Sequence, residues 1–311
     1  MSAQTVTGLP ADVLVAGASG LIGSALVRSL RAKGVRVRAL VRRPPGSTDE
    51  VYWNPLDGTL EPSAIETVGA LVNFAGENIA SGRWSARRRQ EILESRLATT
   101  ETLAKTLSRA LSRPAVWINA SAVGYYGNRG REVLSEESGA GRGFLANVCE
   151  QWETAAHVSA APDLRVVHAR FGVVLSPQGG ALVKLLPVFR ARLGGRLGRG
   201  DQWMSWVSVL DAVRSLEHVL TTPHCSEAVN IVAPAPVTNR EFTETLARAL
   251  GRSARFPVPA FALRCAFGVM ADETLLASQR AAPAKLLATG FEFQHPTLEI
   301  ALRALLGGNQ I

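Results

Sequence analysis

Cysteine is scarce in this chain of 311 residues: Cys149, Cys225 and Cys265 are odd in number and far apart, with no Cys-x-x-Cys pair and no histidine pair nearby. Neither a disulfide framework nor a zinc site is indicated, and a reducing compartment fits. No apolar run approaches the ~18 residues of a membrane span. The opening "MSAQTVTGLPADVLVAG" lacks both the basic and the long apolar segment of a secretion signal, so a cytoplasmic protein without a membrane partner is expected. Lysine is nearly missing, with Lys33, Lys105, Lys184 and Lys285 the only ones among 34 basic residues. The net charge of +8 therefore rests on arginines spread along the chain, not on a basic tract, which argues against nucleic acid as a partner. There is no internal repeat or low-complexity segment. His157, His168, His218, His224 and His295 form no triad or ligand set, so no metal is expected.

What is present is alternation. Short Val-rich runs, "VLVAG" (13–17), "VRVRALV" (35–41), "ALVNFAG" (70–76), "AVWINAS" (115–121), "RVVHARFG" (165–172) and "AVNIVA" (228–233), are separated by longer stretches with helical periodicity. This pattern predicts an α/β fold, a Rossmann-type doubly wound parallel sheet with helices on both faces. The core is expected over residues 1–175, with 205–232 returning to it. A long glycine-punctuated connection (176–204) and the C-terminal stretch (233–311), which opens on a turn and an amphipathic helix, would form a small substrate lobe.

The first strand runs into "GASGLIG". Gly17 permits the tight turn, Gly20 lets backbone N–H groups approach a pyrophosphate, and Gly23 allows close packing of helix on sheet. Ser19 is placed to cap the helix that Leu21 and Ile22 begin. Ala75, Gly76 and Glu77 follow the strand at 70–73, at the carboxyl edge where open α/β sheets bind ligands. Glu77, with Asn78, is placed either to act as an acid or base or to cap its loop. At the end of the second strand, where NAD enzymes place an acid for the adenosine ribose, the acid is lacking. Arg42 and Arg43 stand there instead, and guanidinium groups pair with a 2′-phosphate, so NADP(H) is the expected cofactor.

The glycine pattern, "NFAGENI" and "SAVGYYG" together resemble the atypical short-chain dehydrogenase/reductases. "GENIASGRW", "YYGNRG", "FLANVCEQWE", "GVVLSPQGGAL", "DQWMSWV", "NIVAPAPVTNREF" and "GFEFQHPTLEIALRALL" extend the resemblance over the whole chain to the YfcH-like, NAD-dependent epimerase/dehydratase-related family. It implies a Rossmann core that binds NADP(H), a small C-terminal substrate lobe and a reaction that the fold does not define. Active members of the superfamily use a Ser or Thr, a Tyr-x-x-x-Lys pair on one helix, and an Asn on the preceding helix. Aligned on Glu153, this chain has Leu145 at the Tyr position and Cys149 at the Lys position. The proton-transfer pair is missing.

Three residues remain as catalytic candidates. Arg96 falls at the Asn position, beside a stripe (Leu93, Leu97, Thr100, Ala104, Leu107, Leu111) expected to face the sheet. It would meet an anionic ligand or a catalytic carbonyl, or else pair with Glu150 or Glu153. Ser121 ends the run "AVWINAS", although counting back from Gly127 places the usual serine on Ala122. Cys149 lies on a predicted buried face with Leu145, Val148, Trp152, Ala155 and Ala156. It is read chiefly as a packing residue lining the cofactor pocket, with a proton-donating or redox-sensing thiol as the alternative. Tyr125 and Tyr126 offer phenols to the same corner. Arg190, Arg192, Arg196 and Arg199, ahead of Trp203 and Trp206, suit an anionic substrate with a planar part. The expected function is an NADP(H)-dependent oxidoreductase acting on a small carbonyl or hydroxyl compound. A non-catalytic NADP(H)-binding sensor and a nucleotide-sugar epimerase or dehydratase are the alternatives.

Overall fold

The computed structural model describes residues 8–157 and 163–307. Residues 1–7, the start of the segment read for a secretion signal, and 308–311, the end of the expected smaller lobe, lie outside them. Seven strands form one parallel sheet: β1 (Asp12–Ala16), β2 (Arg36–Val41), β3 (Glu50–Tyr52), β4 (Ala70–Asn73), β5 (Val116–Ala122), β6 (Arg165–Phe171) and β7 (Glu227–Ile231), in the order β7-β6-β5-β4-β1-β2-β3. From β1 the chain winds outward in one direction through β2 and β3, then returns and winds in the other through β4 to β7. The carboxyl ends of β1 and β4 therefore border a crevice at the switch point.

Central strands read as unbroken apolar runs because both sheet faces are covered. Val13 and Val15 pack on one side with Leu26 and Leu30 of α1 (Leu21–Ala32), while Leu14 and Ala16 pack on the other with Leu103 and Leu107 of α2 (Ala86–Arg109). The buried face of α2 carries Ile92, Thr99, Thr100, Leu103, Thr106 and Leu107. The stripe expected from leucine spacing is thus rotated, and Leu111 lies beyond the helix, almost fully exposed. Threonines serve on this face because it meets polar atoms. Thr100 Oγ1 lies 3.3 Å from Asn73 Nδ2, which donates at 2.8 Å to Asn119, and the Trp152 indole donates to Thr100 at 2.9 Å.

A second apolar cluster joins α4 (Gly180–Arg190), α6 (Asn239–Ala249) and α7 (Leu298–Gly307) around Leu182, Phe189, Trp206, Phe242, Leu246 and Leu302. The connection at 176–204 therefore contains a helix. A capping box between Thr238 and Glu241 starts α6. Leu286 and Phe291, from the stretch assigned by sequence to the smaller lobe, instead join the core beneath α5 (Val209–Thr221). There the fully buried Asp211 accepts the Gln294 and His295 amides at 3.0 and 2.7 Å.

Candidate active site and cofactor cleft

A cleft of about 890 Å³ runs along the carboxyl ends of β1, β2 and β4, lined by Gly17, Ser19, Gly20, Arg42, Arg43, Ala75, Gly76, Glu77 and Thr99 among others. Its glycine turn is built by close approach. Gly17 has φ +76°, and a Cβ there would stand 2.8 Å from the Phe74 carbonyl carbon; a Cβ on Gly23 would stand 2.2 Å from Gly17 O. Gly20, not Ser19, is the N-cap of α1, and no side chain caps the helix. Its first N–H groups are left for a ligand, as an anion at the positive helix end requires. Leu21 packs against the 179–180 turn, where a Cβ on Gly179 would meet its Cδ1 at 3.1 Å; Ile22 packs against the core. The glycine cradle, the uncapped helix and the size of the cleft fit a dinucleotide.

Deeper in the crevice Asn73 Oδ1 accepts the Ala75 amide at 3.0 Å and fixes the turn that follows β4. Glu77 is held at the loop by Arg88, 3.1 Å away, which also donates to Asn78 O at 2.7 Å, contacts that secure the loop. Arg96 lies on the buried face of α2 itself, between Ile92 and Thr99. Its guanidinium stands 4.9 Å over the Trp152 ring, donates to Ile92 O at 2.9 Å, and has no carboxylate within salt-bridge distance among the described residues. A Cβ on Gly76 would lie 3.3 Å from its Cγ. Burial lowers its pKa, against the opposing pull of Cys149 and Glu77, yet a guanidinium stays charged.

The expected partner of Arg96 is engaged elsewhere. Glu153, on α3 (Phe144–Ala155), turns inward to accept Ser121 Oγ at 2.6 Å and pairs bidentately with Arg170 of β6 at 2.8 and 2.7 Å. Arg170 donates to the Tyr126 hydroxyl at 3.1 Å, and that hydroxyl donates to Asn230 at 2.8 Å. Tyr126 is thereby fully buried in a structural network. Tyr125 keeps a hydroxyl without a partner among the described residues, its ring 3.5 Å beneath the Arg170 guanidinium. Cys149 is buried beside Ser121, one turn before Glu153. Burial pushes its thiol up to about 11, Glu153 adding to the effect and Arg96, the Ala122 amide and Ser121 opposing it.

A model of the NAD dependent epimerase/dehydratase family matches residues 13–232, and one of a domain of unknown function (DUF1731) matches 258–305. The chain belongs to the NAD dependent epimerase/dehydratase family. "Epimerase family protein Mb2239" of Mycobacterium bovis is 48% identical over 94% of this chain and 96% of its own length. The crystal structure of human epimerase family protein SDR39U1 (isoform 2) with NADPH superimposes with a TM-score of 0.89 at 35% identity, covering 95% of this chain and 99% of that one. A nucleoside-diphosphate sugar epimerase from Corynebacterium glutamicum gives a TM-score of 0.80 at 33% identity, over 97% of this chain and 59% of that one.

Within the family frame, the structure brings Arg96, Ser121 and Cys149 to one corner and disperses the other group. Trp206 is a fully buried residue of the second cluster with its indole on Ala235 O, Trp203 stacks with Arg280 at 4.2 Å, and Arg199 pairs with Asp201 at the surface. Arg170, and the pairing of Glu153 with it, were missed by sequence reasoning, although Arg170 inside the Val-rich run "RVVHARFG" was itself a signal, since a buried charge needs a partner. The Cys149 geometry carries a prediction. Cys149→Ala should leave dinucleotide affinity within about twofold and cost about 1 kcal/mol of stability. Alkylation of the native thiol should be slow at neutral pH and rise about tenfold per pH unit toward 11, because only the thiolate reacts. Rapid modification at pH 7 that a dinucleotide blocks would overturn the packing role.

Proposed function

We propose that this chain is an NADP(H)-dependent oxidoreductase of the atypical short-chain class, acting on a small carbonyl or hydroxyl compound that carries negative charge. The observation that carries this reading is Arg96, whose side chain packs against the cleft-lining Gly76 and whose guanidinium stands over Trp152 with no carboxylate within salt-bridge distance among the described residues. Such a group seeks an anion or a developing oxyanion. NADPH in the human relative, together with Arg42 and Arg43, supports NADP(H) as the cofactor. Bound there, it supplies or receives a hydride.

The chain's own residues divide the remaining work. Ser121 gives its proton to the Glu153 carboxylate, so its oxygen is left with lone pairs only, and on this reading it accepts from a ligand hydroxyl. Polarising the carbonyl is, on this reading, the task of Arg96. Cys149 stays a neutral thiol at physiological pH. Leu145 and Cys149 in place of Tyr and Lys favour a second reading, a protein that binds NADP(H) without turnover.

Single-turnover stopped-flow measurements separate the two. NADPH-loaded protein mixed with a panel of small 2-oxo acids and aldehydes should show oxidation with a charged carbonyl compound, and Arg96→Lys should slow it about 100-fold with little change in melting temperature. Stoichiometric NADPH binding without oxidation by any member of the panel would favour the binding protein.

A further inference from the structure

The two arginines at the adenosine end of the cleft are not equivalent. Arg42 is exposed and makes no hydrogen bond or ion pair among the described residues, so its whole fork is open to a ligand. Arg43 has both terminal nitrogens on one carboxylate: Nη1 lies 2.9 Å from Glu50 Oε2 and Nη2 pairs with Oε1. The Gly46 amide adds a third donor to Glu50 at 2.7 Å. Glu50 opens β3, directly beside β2 in register with Ala39, and it lines the same cleft. The Arg43 hydrogen bonds and the Gly46 amide hold its carboxyl below the usual range, so it is ionised at neutral pH.

We infer that Glu50 is a specificity-determining residue that restrains the preference for NADP(H) over NAD(H) by occupying Arg43. The inference rests on the NADP(H) reading above. A bidentate contact to a phosphate needs the same two Arg43 nitrogens that Glu50 uses. With Glu50 ionised, the three side chains present a net charge of one positive unit, not two, to a 2′-phosphate carrying about −1.5 to −2. The phosphate must therefore displace a paired carboxylate or rely on Arg42 alone. A cofactor that ends in a 2′-hydroxyl meets neither obstacle. Glu50 thus acts on one cofactor and not on the other, and it does so from β3, not from the end of β2 where ribose-reading acids are found.

Glu50→Gln keeps the shape and an acceptor for the Gly46 amide while removing the charge. In equilibrium titrations of nicotinamide fluorescence, it should tighten NADPH about fivefold to tenfold, the size of one repulsion across a few ångströms of exposed surface, and move NADH less than about twofold. The gain should shrink as salt is raised. Arg43→Ala should weaken NADPH, because it leaves Glu50 uncompensated, and Arg43→Ala/Glu50→Gln should recover most of the loss. A weaker NADPH complex in Glu50→Gln would mean that Glu50 positions Arg43 for the phosphate, and an unchanged ratio of affinities would mean that it has no part in selection; either result overturns the inference. The NADP(H) reading fails on a different measurement, when the wild type binds both cofactors equally and Arg42→Ala changes neither. Thermal melts should place Glu50→Gln close to wild type, as expected for a surface ion pair.

Discussion

Gly23→Val is expected to abolish binding of NADPH and NADH alike, with at least a 100-fold loss, equivalent to about 2.7 kcal/mol. The cause lies inside the protein. Any Cβ at position 23 would fall 2.2 Å from Gly17 O, and that oxygen belongs to backbone already closed on the other side by Phe74 and Ala75. Helix α1 must then move off the sheet, its free N–H groups move with it, and the overpacking costs about 1–3 kcal/mol of stability. Gly20→Ala is the contrasting case, since its Cβ would meet only Gly17 O at 3.4 Å. It should fold with nearly wild-type stability and lose affinity only through crowding on the ligand side. Parallel fluorescence titrations and thermal melts distinguish the two: a Gly23→Val protein that binds either dinucleotide normally would refute the close-approach argument.

The same contrast explains which parts of the molecule were legible before the structure. Six of the seven sheet strands could be read because strands buried on both faces need unbroken Val-rich runs. The seventh, β3, escaped because it is an edge strand of three residues, none of them fully buried. With it went the position of Glu50, and so Arg42 and Arg43 looked like two equal phosphate readers. Helix faces were legible only to within a rotation: on α2 the buried side is chosen by threonines that meet Asn73 and Asn119, a demand that leucine spacing does not report. On α3 the opposite error occurred. Apolar spacing leaves Glu153 off the predicted buried face, yet its side chain is 11% exposed and faces Ser121 and Arg170. Polarity predicts exposure only when no buried partner exists, and Arg170 lies on another element, 17 residues away.

Arg170→Ala is expected to destabilise the protein by about 3–5 kcal/mol, the cost of leaving a buried charge without its partner, and to lower the melting temperature by roughly 10 °C. Burial alone would make the guanidinium easier to deprotonate, but Glu153 outweighs that and raises its pKa. With Arg170 gone, Glu153 keeps only the Ser121 hydroxyl, and Tyr126 loses a donor in a site closed to solvent. Replacing both charges, as in Glu153→Met/Arg170→Met, should recover part of the loss, since two apolar chains remove the desolvation penalty together with the attraction. The double variant then separates folding from function. It leaves Ser121 without its acceptor, so the hydroxyl becomes free to donate elsewhere, and on the proposed role of Ser121 ligand affinity should change even where stability has been regained. Chemical denaturation combined with dinucleotide titration measures both quantities. A double variant as unstable as Arg170→Ala would show that the fit of the guanidinium over Tyr125, not its charge, is what the core requires.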